Sequence, residues 1–218
     1  MHSTHPIWDI PTRLFHWSIV ICFALAWWSA EFERYDVHEV TGKIMIVLLL
    51  TRVLWGVVGS AHSRFSDFVV GPASVVNYVR GQASATPGHN PLGGWSVLAL
   101  LCLLLLQAIS GLFNSDDILF SGPLYYAAPQ PMQDLMGVIH EWAFNILLGL
   151  VSLHILAVMY HQLWLKKQLI QPMLFGSATD REGREAPVRV WKAALIAAGL
   201  AALLWWGLEQ APQPQSLW

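Results

Sequence analysis

Two histidines, His140 and His154, lie fourteen residues apart within one long apolar segment of the chain. At about 100° per residue, fourteen steps fall about 40° short of four helical turns, so both imidazoles point to one side of a helix. A rise of about 1.5 Å per residue separates them by roughly 21 Å, about two-thirds of a bilayer core of roughly 30 Å. Ionisable side chains at such depth are rare and usually functional. The spacing therefore predicts ligands for two stacked cofactors, one near each membrane face.

The elements that must position these histidines are membrane spans. The chain has 218 residues, of which 55% are apolar and only 12% charged, which is too apolar for a soluble domain of this size. Uninterrupted apolar runs predict an all-α integral membrane protein. The five predicted spans cover residues 14–30, 40–58, 95–113, 137–164 and 190–208. The bulky Trp27-Trp28 pair argues against cleavage of the first span as a signal peptide.

The connections between spans differ in length and chemistry. The short segment 31–39 predicts that the first two spans are antiparallel neighbours. In the long segment 59–94, Pro72 precedes a short apolar run, which predicts an interfacial helix because proline suits a first helical turn. The proline-containing segment 114–133 is expected to be irregular.

The distribution of charge predicts the orientation. With the N-terminus in the cytoplasm, ten of the twelve basic residues lie inside and nine of the fourteen acidic residues lie outside. The formal charges are then +5 inside and −7 outside, which together give the net charge of −2. This positive-inside pattern predicts a multi-pass protein of the cell inner (cytoplasmic) membrane with a cytoplasmic N-terminus.

Topology sorts four of the nine histidines into two pairs of matched height. His38 and His140 lie near the outer face, and His16 and His154 lie nearer the inner face. Two imidazoles that face each other across a helical bundle give the six-coordinate iron of an electron-transfer haem, with no open position for oxygen chemistry. Glycines supply room for such a group. These are Gly42, Gly137 and Gly149.

Other interpretations of the histidines stand beside this one. A single histidine at a membrane edge is more often an interfacial anchor, and a metal-ion transporter would also use histidines, although it would need carboxylates inside the spans as well. His161 lies on the same helix face as His154, so it is an alternative candidate for the inner ligand. If it is not a ligand, it lies at the surface or in a quinone pocket. The four remaining histidines are expected to be mostly solvated. They are His2, His5, His62 and His89.

Arginines near the inner level are candidates for binding haem propionates. Arg52 lies fourteen residues after His38 on the same face of the second span, where a guanidinium can pair bidentately with a carboxylate. Snorkelling of Arg52 to lipid headgroups is an equally good interpretation. Arg13, one turn before His16, and Arg64 are weaker candidates for the same role.

Several motifs resemble those of the bacterial cytochrome b561 / nickel-hydrogenase b-type cytochrome family. The likeness covers about residues 7–165 and includes W-D-I-P-T-R-L-F-H-W at 8–17, H-E-V-T-G at 38–42, the stretch from Arg52 to Gly59 followed by Arg64-Phe65, G-H-N-P-L-G at 88–93, His140-Glu141 and His154. The resemblance implies a four-helix bundle that binds two b-type haems. It implies that His16, His38, His140 and His154 are the iron ligands, and that the chain passes electrons between the quinone pool and a partner.

The sequence thus predicts a dihaem cytochrome b domain over 7–165, a cytoplasmic basic loop over 166–189, a fifth transmembrane helix over 190–208 and a periplasmic tail over 209–218. Expected cofactors are two haem b groups. Expected partners are membrane lipid, quinone and a periplasmic redox protein such as a c-type cytochrome, drawn by the acidic outer face; nucleic acid is not expected.

Two alternative functions remain at this point, and so do two places for quinone. The chain can be a haem-bearing anchor subunit of a hydrogenase or formate dehydrogenase complex, or a standalone superoxide or quinol oxidoreductase. Enzymatic activity of its own is therefore left open. The candidate quinone sites are the inner end near His161 and the outer end near Glu141 and Asp134.

Overall fold

The computed structural model describes residues 5–82, 88–116, 118, 120–179 and 181–212. Within these ranges the chain folds into helices and connecting turns, without a β-strand. The α-helices are α1 (Ile10–Glu31), α2 (Tyr35–Val58), α3 (Phe65–Phe68), α4 (Pro72–Val79), α5 (Pro91–Gly111), α6 (Gln130–Met159), α7 (Ile170–Phe175) and α8 (Val190–Glu209). A π-helical turn, Tyr160–Trp164, continues α6, and a 3₁₀ turn spans Tyr125–Ala127.

Five helices are long and apolar enough to cross a membrane: α1, α2, α5, α6 with its π-turn, and α8. This confirms the predicted class, an all-α multi-pass membrane protein with a fifth span after a four-helix bundle. The bundle end that holds the start of α1 is called the inner end below, and the opposite end is the outer end. The helix α4 forms where the sequence predicts an interfacial helix.

Four spans, α1, α2, α5 and α6, begin four to seven residues earlier than hydropathy predicts, and all of these except α2 have a proline in the first turn. The helix α1 begins before Pro11, α5 begins at Pro91, and α6 begins before Pro131. Proline is compatible with a first turn because the N–H it lacks has no partner within the helix. The expectation of irregular structure up to residue 133 is therefore wrong from Gln130 onward.

The four bundle helices form two hairpins that pack within themselves. The helix α1 packs on α2, α5 packs on α6, and α2 also contacts α5. Throughout these fully described helices, α6 has only slight backbone contact with α1 and α2. Aromatic side chains bridge part of this gap, since Phe144 lies 6.3 Å from Phe23 and 6.0 Å from Trp27 between ring centroids. The arrangement leaves space between facing histidines.

A buried polar network fixes the start of α1 against α2. The Asp9 side chain, 3% exposed, accepts hydrogen bonds from the Thr12 backbone N–H at 2.9 Å and from the Trp55 indole N–H at 2.8 Å. The Thr12 hydroxyl bonds that of Ser63 at 2.7 Å. Asp9 therefore serves as both N-cap and tie between helices, and it sets the height of His16, seven residues further along α1.

The segment before α1 is held by the loop after α6. Gly176 ends α7 with a φ of +92°, a conformation that favours glycine. Its carbonyl accepts the backbone N–H groups of Ile7 at 2.7 Å and Trp8 at 3.2 Å. The loop predicted as simply polar and basic thus contains a short helix that closes the inner end beneath α1.

Replacing Asp9 with alanine should lower stability, because it removes the cap of α1 and leaves the buried Trp55 N–H without an acceptor. The expected loss is about 2–4 kcal/mol, which corresponds to a fall in Tm of roughly 5–15 °C for a chain of this size. Thermal unfolding of the purified protein in detergent measures it. Asp36→Ala is the matched control, since Asp36 is exposed and pairs loosely with Arg34 at 4.0 Å. Equal Tm values for the two variants would refute the role assigned to Asp9.

Candidate functional site

The outer histidines lie together in the space between the hairpins. His38, near the start of α2, and His140, in the outer half of α6, have ring centroids 6.2 Å apart and planes at 78°. Two imidazole nitrogens that bind one metal ion lie about 4 Å apart, and half a ring on each side brings the centroids to about 6 Å. The observed separation therefore suits two imidazoles that bind one metal ion from opposite sides.

Each outer imidazole is oriented by the neighbouring helix of its own hairpin. His38 Nδ1 lies 2.9 Å from the Ala26 carbonyl oxygen on α1, and His140 Nδ1 lies 3.0 Å from the Gln107 carbonyl oxygen on α5. A carbonyl oxygen only accepts, so both Nδ1 atoms carry the proton and both Nε2 atoms keep a lone pair. This is the tautomer that metal-ligating histidines adopt.

The two anchoring sites share the same design. Ser29 follows Ala26 by three residues and has its hydroxyl 3.4 Å from His38 Nδ1. Ser110 follows Gln107 by three residues and has its hydroxyl 3.2 Å from His140 Nδ1. Both serines are fully buried. Sequence reasoning missed them, although a serine in the last turn of each partner helix is a visible signal.

A cavity of about 270 Å³ adjoins the outer pair. Its lining comes from α1, α2, α5 and α6, and it includes both histidines, Gly42, Gly111 and Phe144. A Cβ built on Gly42 meets no atom within 4 Å, so the backbone of α2 is open to the cavity at the point where room was predicted. The donor set, two imidazoles that line one cavity from α2 and α6, fits a group bound between them.

The inner pair lies toward the opposite, inner end of the bundle. His16 on α1 and His154 on α6 are half-buried and lie within electrostatic range of each other. The Nδ1 atom of His16 is buried without a hydrogen-bond partner among the described residues. A buried polar atom without a partner is costly, and a bound polar group at this level would relieve that cost.

Arg52 lies at the inner level, as its spacing from His38 predicts. It is 3% exposed, its guanidinium carbon lies 5.3 Å from the centroid of Phe65, and its Nη1 has no hydrogen-bond partner among the described residues. Snorkelling to the headgroups does not describe a side chain buried this deeply. Gly56 makes the stacking possible, because a Cβ there would collide with the Phe65 ring.

The other predicted candidates have local partners. Arg13 donates through Nη2 to the Leu174 carbonyl oxygen at 2.6 Å, while its Nε is buried without a partner in the described chain. Arg64 pairs with Asp67 at 3.1 Å and with Glu185 at 3.7 Å. His161 lies in the π-turn and donates from Nδ1 to the Ala157 carbonyl oxygen at 2.9 Å.

Two histidines that were expected to be solvated are not. His62 is 4% exposed, and its Nε2 accepts the Arg184 backbone N–H at 3.3 Å. His89 lies between the rings of Trp8 and Phe68, with centroids at 4.6 and 4.7 Å. Burial, together with the positive charge of Arg52, lowers the pKa of His89 to about 3. His89 also lies within electrostatic range of His16 and His154.

His89 belongs to the inner histidine level, and sequence reasoning missed it. The available signal was the segment Gly88-His89-Asn90-Pro91, in which Asn90 accepts the Gly93 backbone N–H at 2.7 Å as the N-cap of α5. Of the other loop histidines, His5 bonds Gly183 through its backbone, and His2 lies outside the described residues.

Replacing Gly111 with alanine should displace His140 and thereby weaken cofactor binding at the outer level. A Cβ on Gly111 would lie 2.9 Å from His140 Cε1, closer than carbon atoms pack, so the ring must turn away from its carbonyl anchor. The expected outcome is a fall of at least a quarter in the content of the haem that the sequence predicts, measured by haem-to-protein ratio and low-temperature spectra. Gly199→Ala is the control, because a Cβ at Gly199 on α8 meets no atom within 4 Å. Full haem content in both variants would contradict the argument.

Comparison with known sequences gives one family. A sequence profile described as "Prokaryotic cytochrome b561" matches residues 7–176, and these limits are the two residues joined by the Ile7 N–H to Gly176 carbonyl hydrogen bond. Two curated relatives, each named "Probable Ni/Fe-hydrogenase 1 B-type cytochrome subunit", come from Escherichia coli strain K12 and Escherichia coli O157:H7. Each is 21% identical over 50% of this chain and 59% of the relative, so the chain spans less than two thirds of their length. Because the profile covers more than half of the sequence and all four helices that bear or frame the histidine pairs, this chain belongs to the prokaryotic cytochrome b561 family of membrane proteins that transfer electrons through haem b.

Proposed function

We propose that this chain is a dihaem b-type cytochrome that carries electrons across the cytoplasmic membrane between the quinone pool and a periplasmic redox partner. The observation that carries the proposal is the outer histidine pair, in which both imidazoles are fixed in the metal-binding tautomer at a separation suited to one shared ion. Haem b, when bound, supplies the one-electron oxidation–reduction chemistry.

His38 and His140 hold the outer group, and His16 and His154 hold the inner one. Donation from Nδ1 to a carbonyl oxygen orients each outer ring and makes its Nε2 more basic. The helical rise from His140 to His154 separates the two levels by roughly 21 Å. Two groups at these levels span most of the low-dielectric core that an electron must cross.

Arg52 and Gly42 support binding at the inner and outer levels respectively. A guanidinium always carries its charge, and a buried charge requires an anionic or hydrogen-bonding partner. A haem propionate provides both, and the Arg52 Nη1 atom is available to bind it. Arg13, whose Nε atom is also buried without a partner in the described chain, is placed to assist. Gly42 keeps α2 clear of the outer group.

The outer end suits a basic partner protein. Among the residues that the structure describes, six acidic side chains are exposed there: Glu31, Glu33, Asp36, Asp134, Glu141 and Glu209. The two basic residues at this end are both paired with carboxylates, Arg34 with Asp36 and Lys43 with Glu39. An acidic surface of this kind steers a basic protein, such as a c-type cytochrome, toward the outer haem.

The first test assigns haems to histidines. The purified protein should contain about two b-type haems per chain, and replacing His38 or His140 with alanine should remove one and the same haem. Replacing His16 or His154 should remove the other, because each pair shares one iron. Reduced-minus-oxidised spectra and haem-to-protein ratios distinguish the two sets. His161→Ala is the control and should keep both haems. Loss of the same haem on replacing His38 and on replacing His154 would overturn the pairing.

The second test concerns the outer partner. Reduction of a basic soluble c-type cytochrome by the pre-reduced protein should slow by at least tenfold between about 20 and 200 mM salt, since screening weakens the attraction of exposed charges. Exchanging Glu31, Asp134 and Glu141 for glutamine should reduce both the rate and its salt dependence. Exchange of exposed inner-end charges, such as Arg80→Gln, is the control. A rate independent of ionic strength would contradict steering by the acidic end.

A second candidate function is favoured by the relatives, whose printed names describe a cytochrome subunit of a nickel–iron hydrogenase. In that case the same haems would serve a membrane anchor, and the outer acidic end would bind a catalytic subunit. Purification from native membranes under mild detergent separates the two: a stoichiometric hydrogenase subunit supports the anchor, and a chain that purifies alone and reduces a soluble cytochrome supports the carrier.

A further inference from the structure

Gln107 on α5 contacts both nitrogens of His140, and we propose that its side chain is a displaceable latch on this ligand. Its backbone carbonyl oxygen lies 3.0 Å from His140 Nδ1, and its side-chain Nε2 lies 3.1 Å from His140 Nε2. The amide competes with iron for His140 and thereby lowers the affinity of the outer level for haem. The proposal rests on the dihaem function proposed above, because it gives a role to a residue that acts through one of the proposed iron ligands.

The direction of both hydrogen bonds follows from the chemistry of the groups. The Gln107 backbone carbonyl only accepts, so it receives the Nδ1 proton of His140 and leaves a lone pair on Nε2. The group that faces this lone pair must then be a donor, and the side-chain amide nitrogen of Gln107 is one. One tautomer of the neutral imidazole therefore satisfies both contacts.

The amide and a metal ion cannot use His140 Nε2 at the same time. A neutral imidazole offers a single lone pair, and the Gln107 amide donates its hydrogen bond to it. Coordination of iron by His140 therefore requires the Gln107 side chain to turn away. The backbone contact at Nδ1 does not depend on that side chain, so the ring keeps its orientation when the latch opens.

Opening the latch removes a hydrogen bond that Gln107 does not otherwise replace. Gln107 is half-buried and lines the outer cavity together with His38 and His140. Its Oε1 atom is buried without a hydrogen-bond partner among the described residues. The contact with His140 is thus the one side-chain hydrogen bond that Gln107 makes within the described chain. A neutral hydrogen bond of this kind corresponds to a factor of about two to ten in an equilibrium constant.

The anchor of His38 has a different side chain at the corresponding position. The Ala26 carbonyl on α1 holds His38 as the Gln107 carbonyl on α5 holds His140, and in both anchors a serine follows three residues later. The methyl group of Ala26 cannot donate a hydrogen bond. His140 therefore has a competing amide at its anchor position where His38 has a methyl group, and His140 is the ligand of the outer pair that is released more readily.

The latch also stabilises the His140 ring whenever iron is not bound to it. An imidazole nitrogen without a partner is costly in the low-dielectric interior of a membrane bundle. The Gln107 amide removes that cost, and the backbone carbonyl holds the ring at the same time. His140 is therefore already oriented when haem enters, and it is recaptured when haem leaves.

Removal of the amide tests the competition. Leucine is close to glutamine in size and has no hydrogen-bonding group, so Gln107→Leu should raise the affinity of the outer level for haem about two- to tenfold. The haem-loaded full chain in detergent is equilibrated with increasing amounts of apomyoglobin, and the haem that remains is measured by reduced-minus-oxidised spectra. The inner haem is the internal reference and should redistribute as in the unaltered protein. The absorption bands of the outer haem should not shift, because both iron ligands remain.

The reverse exchange at the other anchor tests the asymmetry. Ala26 lines the same cavity, and Ala26→Gln gives the His38 anchor the side chain that His140 has. Ala26→Leu is the matched control, because it adds similar bulk without a donor. Ala26→Gln should bind the outer haem about two- to tenfold more weakly than Ala26→Leu does. Gln107→Ala should repeat the effect of Gln107→Leu and guards against misfolding of either variant alone.

The proposal requires tighter binding in the Gln107 variants and weaker binding in Ala26→Gln than in its control, and the absence of either result overturns it. Weaker binding in Gln107→Leu and Gln107→Ala would show that Gln107 holds the bound group and does not compete for its ligand. A full chain without haem in every variant would refute the dihaem function and this proposal with it. Two haems whose affinities do not respond to the Gln107 variants would refute the latch alone.

Discussion

The hydrogen bond from an imidazole Nδ1–H to a backbone carbonyl of the neighbouring helix is the interaction on which the outer site depends. His38 bonds the Ala26 carbonyl and His140 bonds the Gln107 carbonyl. Both carbonyls lie within helices, so they are rigid, and the serine one turn further on completes each contact. In a low-dielectric environment a misdirected polar ring is costly. The hairpins therefore select one ring orientation and one tautomer before any ligand is considered.

The same hairpins also create the space that the ligands face. Each is packed within itself, whereas α6 remains apart from α1 and α2. The buried apolar core consequently lies mainly along α2 and α5, with Leu49 and Leu104 among its members and Leu147 as its contact from α6. At the inner end the Asp9 network fixes α1 against α2, so the height of His16 depends on the cap and not on the apolar core alone.

Hydropathy and helical spacing were sufficient to predict the five spans, the pairing of His38 with His140 and the level of Arg52. These features depend on periodicity within single helices, which one sequence contains. The starts of α1, α2, α5 and α6 were predicted too late, because hydropathy detects the apolar centre of a helix and not its more polar first turn, which contains a proline in all but α2. His62 and His89 were placed in solvent because their burial results from contacts between distant segments, such as Arg184 on His62 and Trp8 on His89.

The helix α8 lies outside the four-helix bundle that carries the histidine pairs, but it packs against α2. It follows the segment matched by the family profile and covers the side of α2 that faces away from α6. Without it, that side of α2 would be coated by annular lipid. With it, the same surface becomes one wall of a partly open cleft of about 1170 Å³, and Ala201 and Leu204 of α8 belong to the facing wall. Substitutions in this peripheral helix can thus reshape the cleft while the helices that carry the histidine pairs stay as they are.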